Sequence, residues 1–378
     1  MESKPLSFLQ VVLTCAALLF TVPAVAQSSP IKLGQSLPLT GPVSELGTEY
    51  RDGALSYLNW INHKGGVHGR KIELVSLDDA YVVDKTVENT KQLIGNESVL
   101  ALLGMFGSAN YAAAQPLVDA SNMPSLAPYT GADDLRALNS PNTFWLRASY
   151  GDEAEKIIAQ LTTLGIVKIA VFYQNDAFGK AGLTGVENAL KKRDLKLLGS
   201  GVYDKAKNDV GEAVKTIAAL NPQAVVMIST YKPTAAFVKQ MRATGVIPQF
   251  FALSVVGYKA LQTELGKDVV GIAISQVVPY PWSGTTQVVR EFMAMPKEFQ
   301  PASGITYTTL EGYLAARVMV EALNRAGPQV SREKIIASLN SMRPFDMGGF
   351  LVDFGKKNHR GSNFVEVTIV GNHGRLMR

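Results

Sequence analysis

Residues 99–114 read VLALLGMFGSANYAAA, and this stretch decides the fold. It begins with an unbroken apolar run, which is typical of a strand buried on both faces of a parallel sheet. Two glycines follow, and Ser108 then precedes a run of helix-forming residues, so Ser108 is a candidate N-cap. A strand, a glycine turn and the free N–H groups of a helix start can together bind an anion at a sheet edge. The alternative is an ordinary turn between a strand and a helix, which every α/β protein contains.

Strand and helix signals alternate along most of the chain around this stretch. One set begins with a strand at residues 31–37, and a second runs from a helix at 152–164 to a strand at 269–275. Alternation at this spacing predicts an α/β fold with two doubly wound parallel-sheet lobes. Near the C-terminus, two strand-like runs at 350–354 and 364–370 have no helix between them. Runs this short need an existing sheet to join, so the chain is expected to return to the first lobe and cross again to the second.

Length and composition limit the function classes. A chain of 378 residues exceeds what one hydrophobic core usually holds, so two domains are expected. The net charge of +5 is spread over short clusters such as 191–193 and 356–357, without the dense Lys, Arg and aromatic residues of a nucleic-acid interface. We therefore expect no nucleic-acid partner. Cys15 is the only cysteine, which excludes disulfides, thiol nucleophiles and cysteine-bound metals from the remainder of the chain.

The first 26 residues have the pattern of a signal peptide. Lys4 precedes an apolar region at residues 8–22, and Ala24-Val25-Ala26 has the small-x-small form of a cleavage site. The predicted cleavage follows Ala26. An uncleaved anchor is the alternative, but the apolar run is shorter than the about 20 residues of a membrane span. No other segment of the sequence is long and apolar enough to cross a membrane.

Catalytic and cofactor motifs are missing from the sequence. The four histidines lack the spacing of a metal site, and no glycine-rich nucleotide motif occurs. We therefore predict no catalytic residues, no metal and no cofactor. Instead, small hydroxyl and aromatic residues recur in loops at the carboxyl ends of predicted strands, which is where doubly wound sheets bind ligands. These loops are residues 39–46, 107–109, 129–131, 176–178, 229–232 and 254–256.

Three motifs carry a family resemblance that covers nearly the whole chain after the signal peptide. They are PLTGP at 38–42, NHKGGVHGRKI at 62–72 followed by Asp78-Asp79, and QNDAFG at 174–179. The sequence resembles the periplasmic solute-binding proteins of the branched-chain amino acid (Leu/Ile/Val-binding) type, which are receptors of ABC importers. The resemblance implies the type I periplasmic binding fold, with three hinge crossings expected near 146–149, 276–280 and 343–345. The N-terminal lobe would comprise 27–146 and 279–342, and the C-terminal lobe 147–278 and 343–378.

The resemblance also implies which residues bind the ligand. Ser108, with the neighbouring Ala109, stands where the family holds the ligand carboxylate, and Thr130 lies in a loop that supplies further polar contacts. Leu46 takes the place of an aromatic residue, and Phe178 replaces a tyrosine. The expected ligand-binding residues are Leu46, Ser108, Ala109, Tyr129, Thr130, Gly131, Phe178, Tyr231 and Ser254.

Ser254 departs most clearly from the family pattern. The amino acid receptors carry a glutamate there for the α-ammonium group, and a buried ammonium without a carboxylate partner would cost several kcal/mol. The hypothesis is therefore a small aromatic or branched carboxylate, bound against Phe178, Tyr129 and Tyr231. The alternative is an amino acid whose ammonium pairs with Asp176 or Glu45.

The expected function is that of an exported, monomeric periplasmic receptor. It would deliver this small molecule to an inner-membrane ABC permease. A sensor that docks on a chemoreceptor or kinase, and a secreted α/β enzyme, are the alternatives.

Overall fold

A computed structural model describes residues 29–207, 209–355 and 359–378. Within the first of these ranges, five parallel strands form a sheet of order β2-β1-β3-β4-β5. Neighbouring strands pair in regular register, except for one bulge in the pairing of β1 with β3. The elements are β1 Ile31–Leu37, α1 Ser44–His63, β2 Ile72–Asp78, α2 Val83–Gly95, β3 Val99–Leu103, α3 Ser108–Ala120, β4 Ser125–Leu126, α4 Asp133–Ala137 and β5 Thr143–Phe144. The opening stretch is therefore β3 at the centre of this sheet, followed by α3, as the sequence predicts.

The second sheet begins after β5, and in the described part of the chain its parallel strands have the order β10-β9-β8-β6-β7. Two strands near the C-terminus, β13 Glu366–Val370 and β14 Leu376–Met377, extend the sheet beyond β10. Its parallel part contains α5 Tyr150–Thr163, β6 Ile169–Gln174, α6 Ala177–Lys191, β7 Gly199–Tyr203, α7 Gly211–Ala219, β8 Ala224–Ile228, α8 Tyr231–Ala243, β9 Gln249–Ala252, α9 Tyr258–Leu265 and β10 Ala273–Gln276. The prediction of two α/β lobes with parallel sheets is confirmed.

After β10 the chain returns to the first lobe as α10 Gln287–Met293, α11 Tyr307–Ala326 and α12 Arg332–Asn340. Helix α11 packs on α1 with the two backbones in contact. A Cβ atom on Gly53 would lie 1.9 Å from the carbonyl oxygen of Thr309, and one on Gly312 would lie 2.1 Å from that of Tyr50. Since a methyl group cannot fit at either place, both positions of this helix pair require glycine.

The last part of the chain differs in detail from the expectation. A hairpin of β11 Phe345–Asp346 and β12 Leu351–Val352 replaces the single strand expected at 350–354. The chain then joins the second sheet as β13 Glu366–Val370, antiparallel to β10, and β14 Leu376–Met377.

The residues around this hairpin pack on the first lobe. Phe354 lies edge-to-face on Phe144, His359 stacks on the same ring at 4.3 Å, and the N–H of Gly361 donates to the carbonyl of Trp145. These contacts favour a third crossing after Gly361, later in the chain than the expected 343–345. The division into rigid lobes, with its boundaries, stays a prediction.

The signal peptide and membrane-spanning segments are the remaining predictions about the organisation of the chain. Residues 1–26, the predicted signal peptide, lie outside the described residues. Among the residues that are described, no helix combines the length and the apolarity that a membrane span requires.

Candidate ligand-binding site

A cavity of about 20 Å³ lies between the two lobes, at the carboxyl edges of both sheets. Both lobes supply its walls, so the cavity exists only while the lobes face each other. The first lobe contributes Tyr81, Phe106, Gly107, Ser108 and Tyr129, and the second contributes Tyr150, Phe178, Thr230 and Val255.

Three hydroxyl groups meet at one end of this cavity. The side-chain oxygens of Ser108 and Thr130 share a hydrogen bond of 2.6 Å, and the Tyr150 hydroxyl lies 3.5 Å from that of Ser108. Ser108 is the first residue of α3, whose initial N–H groups have no partner within the helix. Neutral hydroxyl donors and a helix start suit an anion such as a carboxylate.

Ser108 is not the N-cap that the sequence predicts. Gly107 occupies the cap position with a φ of +91°, a conformation that glycine adopts at little cost. The Ser108 side chain is thereby free to turn away from the helix and to bond with Thr130. The glycine caps the helix and the serine supplies the side chain of the site.

Aromatic rings form the remaining walls. Phe106 stacks on Tyr129 at 4.8 Å, Tyr81 stands edge-on to Phe106 at 5.9 Å, and Tyr150 contacts Phe178 at 5.3 Å. Burial raises the pKa of Tyr81, Tyr129 and Tyr150, so these hydroxyls stay protonated at neutral pH. Among the described residues, those that line the cavity include no Asp, Glu, Lys or Arg.

A buried ion cluster lies behind Tyr129, at the first crossing between the lobes. The Arg147 guanidinium packs on the Tyr129 ring at 4.6 Å, 3.9 Å from a carboxylate oxygen of Glu153 and 3.6 Å from one of Glu311. Glu153 belongs to the second lobe and Glu311 to the first, so Arg147 joins both. Burial raises the pKa of Glu311 to about 7, although the positive charge of Arg147 opposes this shift.

Ser254 belongs to this cluster and not to the cavity wall. Its N–H donates to Glu153 at 2.8 Å, its hydroxyl donates to the other Glu153 oxygen at 3.1 Å, and Arg147 donates to the same hydroxyl. Ser275 also donates to Glu153, at 2.6 Å. The serine that stands at the family's glutamate position therefore anchors a buried glutamate that the sequence analysis did not single out.

Arg136 links the hydroxyl end of the cavity to the same crossing. Its Nη2 donates to the carbonyl of Thr130 at 3.3 Å and to the carbonyls of Arg147 and Ala148 at 3.1 Å each. The loop that carries Thr130 and the crossing at 145–149 are thus held by one buried side chain.

The structure brings some of the expected residues together and separates others. Ser108, Tyr129 and Phe178 line the cavity, Thr130 and Gly131 stand directly behind them, and Ala109 follows Ser108 in α3. Gly131 contacts Tyr150, since a Cβ atom there would meet its ring at 2.5 Å. Whether these residues bind a ligand stays a prediction.

Leu46 and Tyr231 lie outside the wall. Leu46 is fully buried and packs across the cleft on Gly257, where a Cβ atom would lie 2.3 Å from Leu46 Cδ2. Tyr231 is buried at the start of α8. Both therefore contribute to the packing around the cavity.

Several wall residues were not singled out from the sequence. Phe106 and Gly107 belong to the opening stretch, Thr230 and Val255 lie in loops recognised as candidates, and Tyr81 follows the paired aspartates. Five of the six loops named from the sequence contribute a wall residue, whereas Tyr81 and Tyr150 lie outside all six. Which residue of a loop faces the cavity depends on backbone conformation.

Two α/β lobes that enclose a small cavity between the ends of their parallel strands define a class of proteins that bind a small molecule and close around it. A family model described as periplasmic binding protein matches residues 30–374. The chain belongs to this family.

Individual relatives agree with the assignment. The chain is 27% identical over 373 residues to the Leu/Ile/Val-binding protein homolog 7 of Brucella melitensis, covering 93% of this chain and 92% of the relative. A substrate-binding periplasmic protein from Ralstonia solanacearum is 35% identical with a TM-score of 0.87, covering 92% and 99% of the two chains. A possible leucine/isoleucine/valine-binding protein from Rhodopirellula baltica is 30% identical with a TM-score of 0.88, covering 93% and 97%.

Proposed function

We propose that this protein is an exported receptor of an ABC importer and that it captures a small aromatic or branched carboxylate in the interlobe cavity. The observation that carries the proposal is the chemistry of the wall. Hydroxyl groups and a helix start occupy one end, aromatic rings occupy the rest, and no ionised side chain is among the described wall residues.

The carboxylate would be held at the hydroxyl end. Its oxygens would accept hydrogen bonds from Ser108 and Tyr150, with Thr130 orienting Ser108, and from the N–H groups at the start of α3. Hydrogen bonds to an ionised acceptor are stronger than those between neutral groups, so these few donors suffice.

An amino acid would lack a partner for its ammonium group. Asp176 accepts from the N–H groups of Phe178 and Gly179 with one oxygen and from Gln174 with the other. Glu45 is exposed, and Ser254 is held by Glu153 and Arg147. These contacts support a ligand without a positive group.

The size of the cavity favours a compact ligand. The free space of about 20 Å³ holds about one water molecule and is far below the about 300–1,000 Å³ of sites for drug-sized ligands. The walls must therefore move apart to admit any ligand, and a compact molecule requires the least movement. A solute-binding protein from R. palustris, whose structure contains benzoate, shares the fold with a TM-score of 0.80 at 18% identity. That likeness concerns the fold, and the wall chemistry of this chain supplies the argument about the ligand.

Isothermal titration calorimetry with matched pairs of ligands tests the proposal. Benzoate, phenylacetate and 4-methylpentanoate are compared with phenylalanine and leucine, which add an ammonium group to a similar skeleton. We expect at least one carboxylate to bind in the micromolar range or tighter and the amino acids to bind at least about 100-fold more weakly, because the cavity leaves the ammonium unpaired. Tight leucine binding would contradict the proposed ligand class.

Ser108→Ala is expected to weaken binding of the preferred carboxylate by about 1 kcal/mol, or about fivefold, since one hydroxyl donor is lost while the N–H groups of α3 remain. Calorimetry on the purified variant measures the change. An unaltered affinity would place the carboxylate elsewhere in the cavity.

The remaining parts of the proposal follow from the family and from the wall. We infer that the protein binds its ligand without converting it, that it acts as a monomer and that an inner-membrane permease receives the ligand. Cleavage after Ala26 belongs to the same proposal. So does the hinged movement of two lobes, joined near 146–149 and 276–280 and, in place of 343–345, after Gly361. Recovery of unchanged ligand after prolonged incubation with the protein tests the first of these inferences.

A further inference from the structure

Tyr81 lies in the first lobe and contacts both the cavity and the second lobe. It is in the loop between β2 and α2, it is buried, and its ring lines the cavity beside Phe106 and Gly107. A Cβ atom on Gly107 would lie 2.8 Å from this ring, so the ring rests directly on the glycine that caps α3. Tyr81 thus borders the proposed carboxylate site.

The hydroxyl and ring of Tyr81 reach the second lobe. Gln174 Nε2 donates to the Tyr81 hydroxyl at 3.3 Å, and the Lys205 ammonium lies 4.3 Å from the centre of the Tyr81 ring, within the range of a cation–π contact. We call Tyr81, Gln174, Asp176, Tyr203 and Lys205 the interlobe clasp. These contacts join residues of different lobes and exist only while the lobes are closed.

The half of the clasp that belongs to the second lobe is held together without Tyr81. Gln174 Nε2 donates to Asp176 at 2.6 Å, the Tyr203 hydroxyl donates to Gln174 Oε1 at 2.8 Å, and Lys205 pairs with Asp176 at 3.4 Å. Asp176 also caps α6, which fixes its position. The Gln174 amide and the Lys205 ammonium are therefore held in position by contacts within the second lobe, without Tyr81.

The loop that carries Tyr81 has an unusual backbone. Ala80 and Tyr81 have φ angles of +49° and +64°, in the left-handed region that residues with a side chain rarely adopt. Asp79 holds the loop by accepting from Tyr81 N–H, Ser36 and Thr86 at 2.9 Å each, and Asp78 accepts from Ala80 N–H at 2.9 Å. Strain of this kind persists where the surroundings fix it, and it concentrates at ligand clamps.

We propose that Tyr81 is a positioning residue that couples occupation of the cavity to closure of the lobes. A ligand that contacts the cavity side of the Tyr81 ring holds the ring in the position where it contacts Gln174 and Lys205. The clasp in turn slows dissociation of the ligand. This inference rests on the proposed function for its ligand, but the contacts between the lobes can be tested without one.

Two substitutions separate the clasp from the cavity wall. Tyr81→Phe keeps the ring and removes the hydroxyl that Gln174 binds. Lys205→Met removes the ammonium from a side chain that is outside the wall and about one third exposed. The matched control is Lys215→Met, an exposed position on α7.

Stopped-flow measurements with benzoate form the first arm of the test. Lys205→Met is expected to raise the dissociation rate constant about 3- to 10-fold, with the association rate constant changed less than about twofold, because the contact forms after the ligand has entered. The effect of Lys205→Met should shrink when Tyr81 is already replaced by leucine, since both changes remove one contact. Lys215→Met should leave both rate constants unchanged.

The second arm needs no ligand. Residues 27–378 contain no cysteine, so Lys85→Cys on α2 and Glu212→Cys on α7 accept spin labels at these two sites alone. Pulsed electron paramagnetic resonance spectroscopy then gives the distribution of distances between the two spin labels, one on each lobe. Tyr81→Phe and Lys205→Met are each expected to lower the fraction with the short distance, while Lys215→Met keeps it.

The outcomes distinguish this inference from the proposed function. If no carboxylate binds to the unaltered protein, the proposed ligand fails, and the ligand-free distances still decide on the clasp. If carboxylates bind but neither substitution changes the dissociation rate or the distance distribution, the clasp is overturned and the proposed function stands.

Discussion

Arg147→Met is expected to lower the free energy of unfolding by about 3–5 kcal/mol, because it leaves two buried carboxyl groups without their cation. The side chains of Arg147, Glu153 and Glu311 are 1%, 0% and 6% exposed, so water cannot replace the lost charge. Hydrogen bonds from Ser254 and Ser275 remain for Glu153, but Glu311 keeps only more distant charges. Urea unfolding with linear extrapolation measures the loss.

The effect of this substitution should depend on pH. Burial raises the pKa of Glu311 from 4.5 to about 7 and also raises that of Glu153. A carboxyl whose pKa is higher in the folded state adds stability at low pH, and about 1.4 kcal/mol per pKa unit is lost as the pH rises through the folded pKa. Removing Arg147 raises both pKa values further. The loss of stability should therefore be larger at about pH 8 than at about pH 5, where the folded protein can keep Glu311 protonated.

Two variants control this experiment. Arg325→Met removes a surface arginine that pairs with Glu321 one helical turn away, and it should cost only about 0.3–0.5 kcal/mol. Adding Glu311→Gln to Arg147→Met should recover part of the stability and reduce the pH dependence, because a neutral amide replaces the unpaired acid. A loss below about 1 kcal/mol, or one that is equal at both pH values, would show that the cluster is not held by charge.

The fold could be predicted because its signals are local. The buried strand β3, the glycine turn and α3 are visible as a run of apolar residues followed by helix formers, and the same alternation repeats through β10. The chain after residue 340 was harder to predict, since its placement depends on contacts distant in sequence. Phe144 lies about 210 residues before Phe354 and His359, and no local pattern indicates that these rings meet.

The site could be predicted only in part for a related reason. Ser108 and Phe178 follow strands directly, so the topology itself brings them to the cleft. Tyr81 faces the cavity because two successive residues adopt the left-handed conformation, and two aspartates stabilise that conformation through the tertiary structure. Ser254 shows the converse. Its position in the family pattern suggested a ligand contact, but Glu153 lies 101 residues earlier in the chain and takes its hydrogen bonds.

Ser108→Asp is expected to abolish carboxylate binding while leaving the protein folded. The introduced carboxylate would stand where the ligand carboxylate is proposed to bind, and an uncompensated buried charge costs about 3–5 kcal/mol, or roughly 100- to 4,000-fold in affinity. Folding should tolerate the change because an open cleft exposes this position to water. Thermal unfolding of the ligand-free variant should therefore occur within a few degrees of the unaltered protein.

Ser108→Ala is the matched control, since it removes the hydroxyl without adding charge and should cost only about fivefold. The dependence of affinity on pH distinguishes the effect of the added charge from the effect of the lost hydroxyl. As the pH falls towards about 5, the introduced aspartate can take up a proton on closure while benzoate remains ionised, so the affinity of Ser108→Asp should rise relative to that of Ser108→Ala. If Ser108→Asp binds carboxylates as well as Ser108→Ala at neutral pH, the anion does not lie at the start of α3. The hydroxyl cluster of Ser108, Thr130 and Tyr150 would then serve to pack the closed lobes, and the polar end of the ligand would have to face Thr230 on the second lobe.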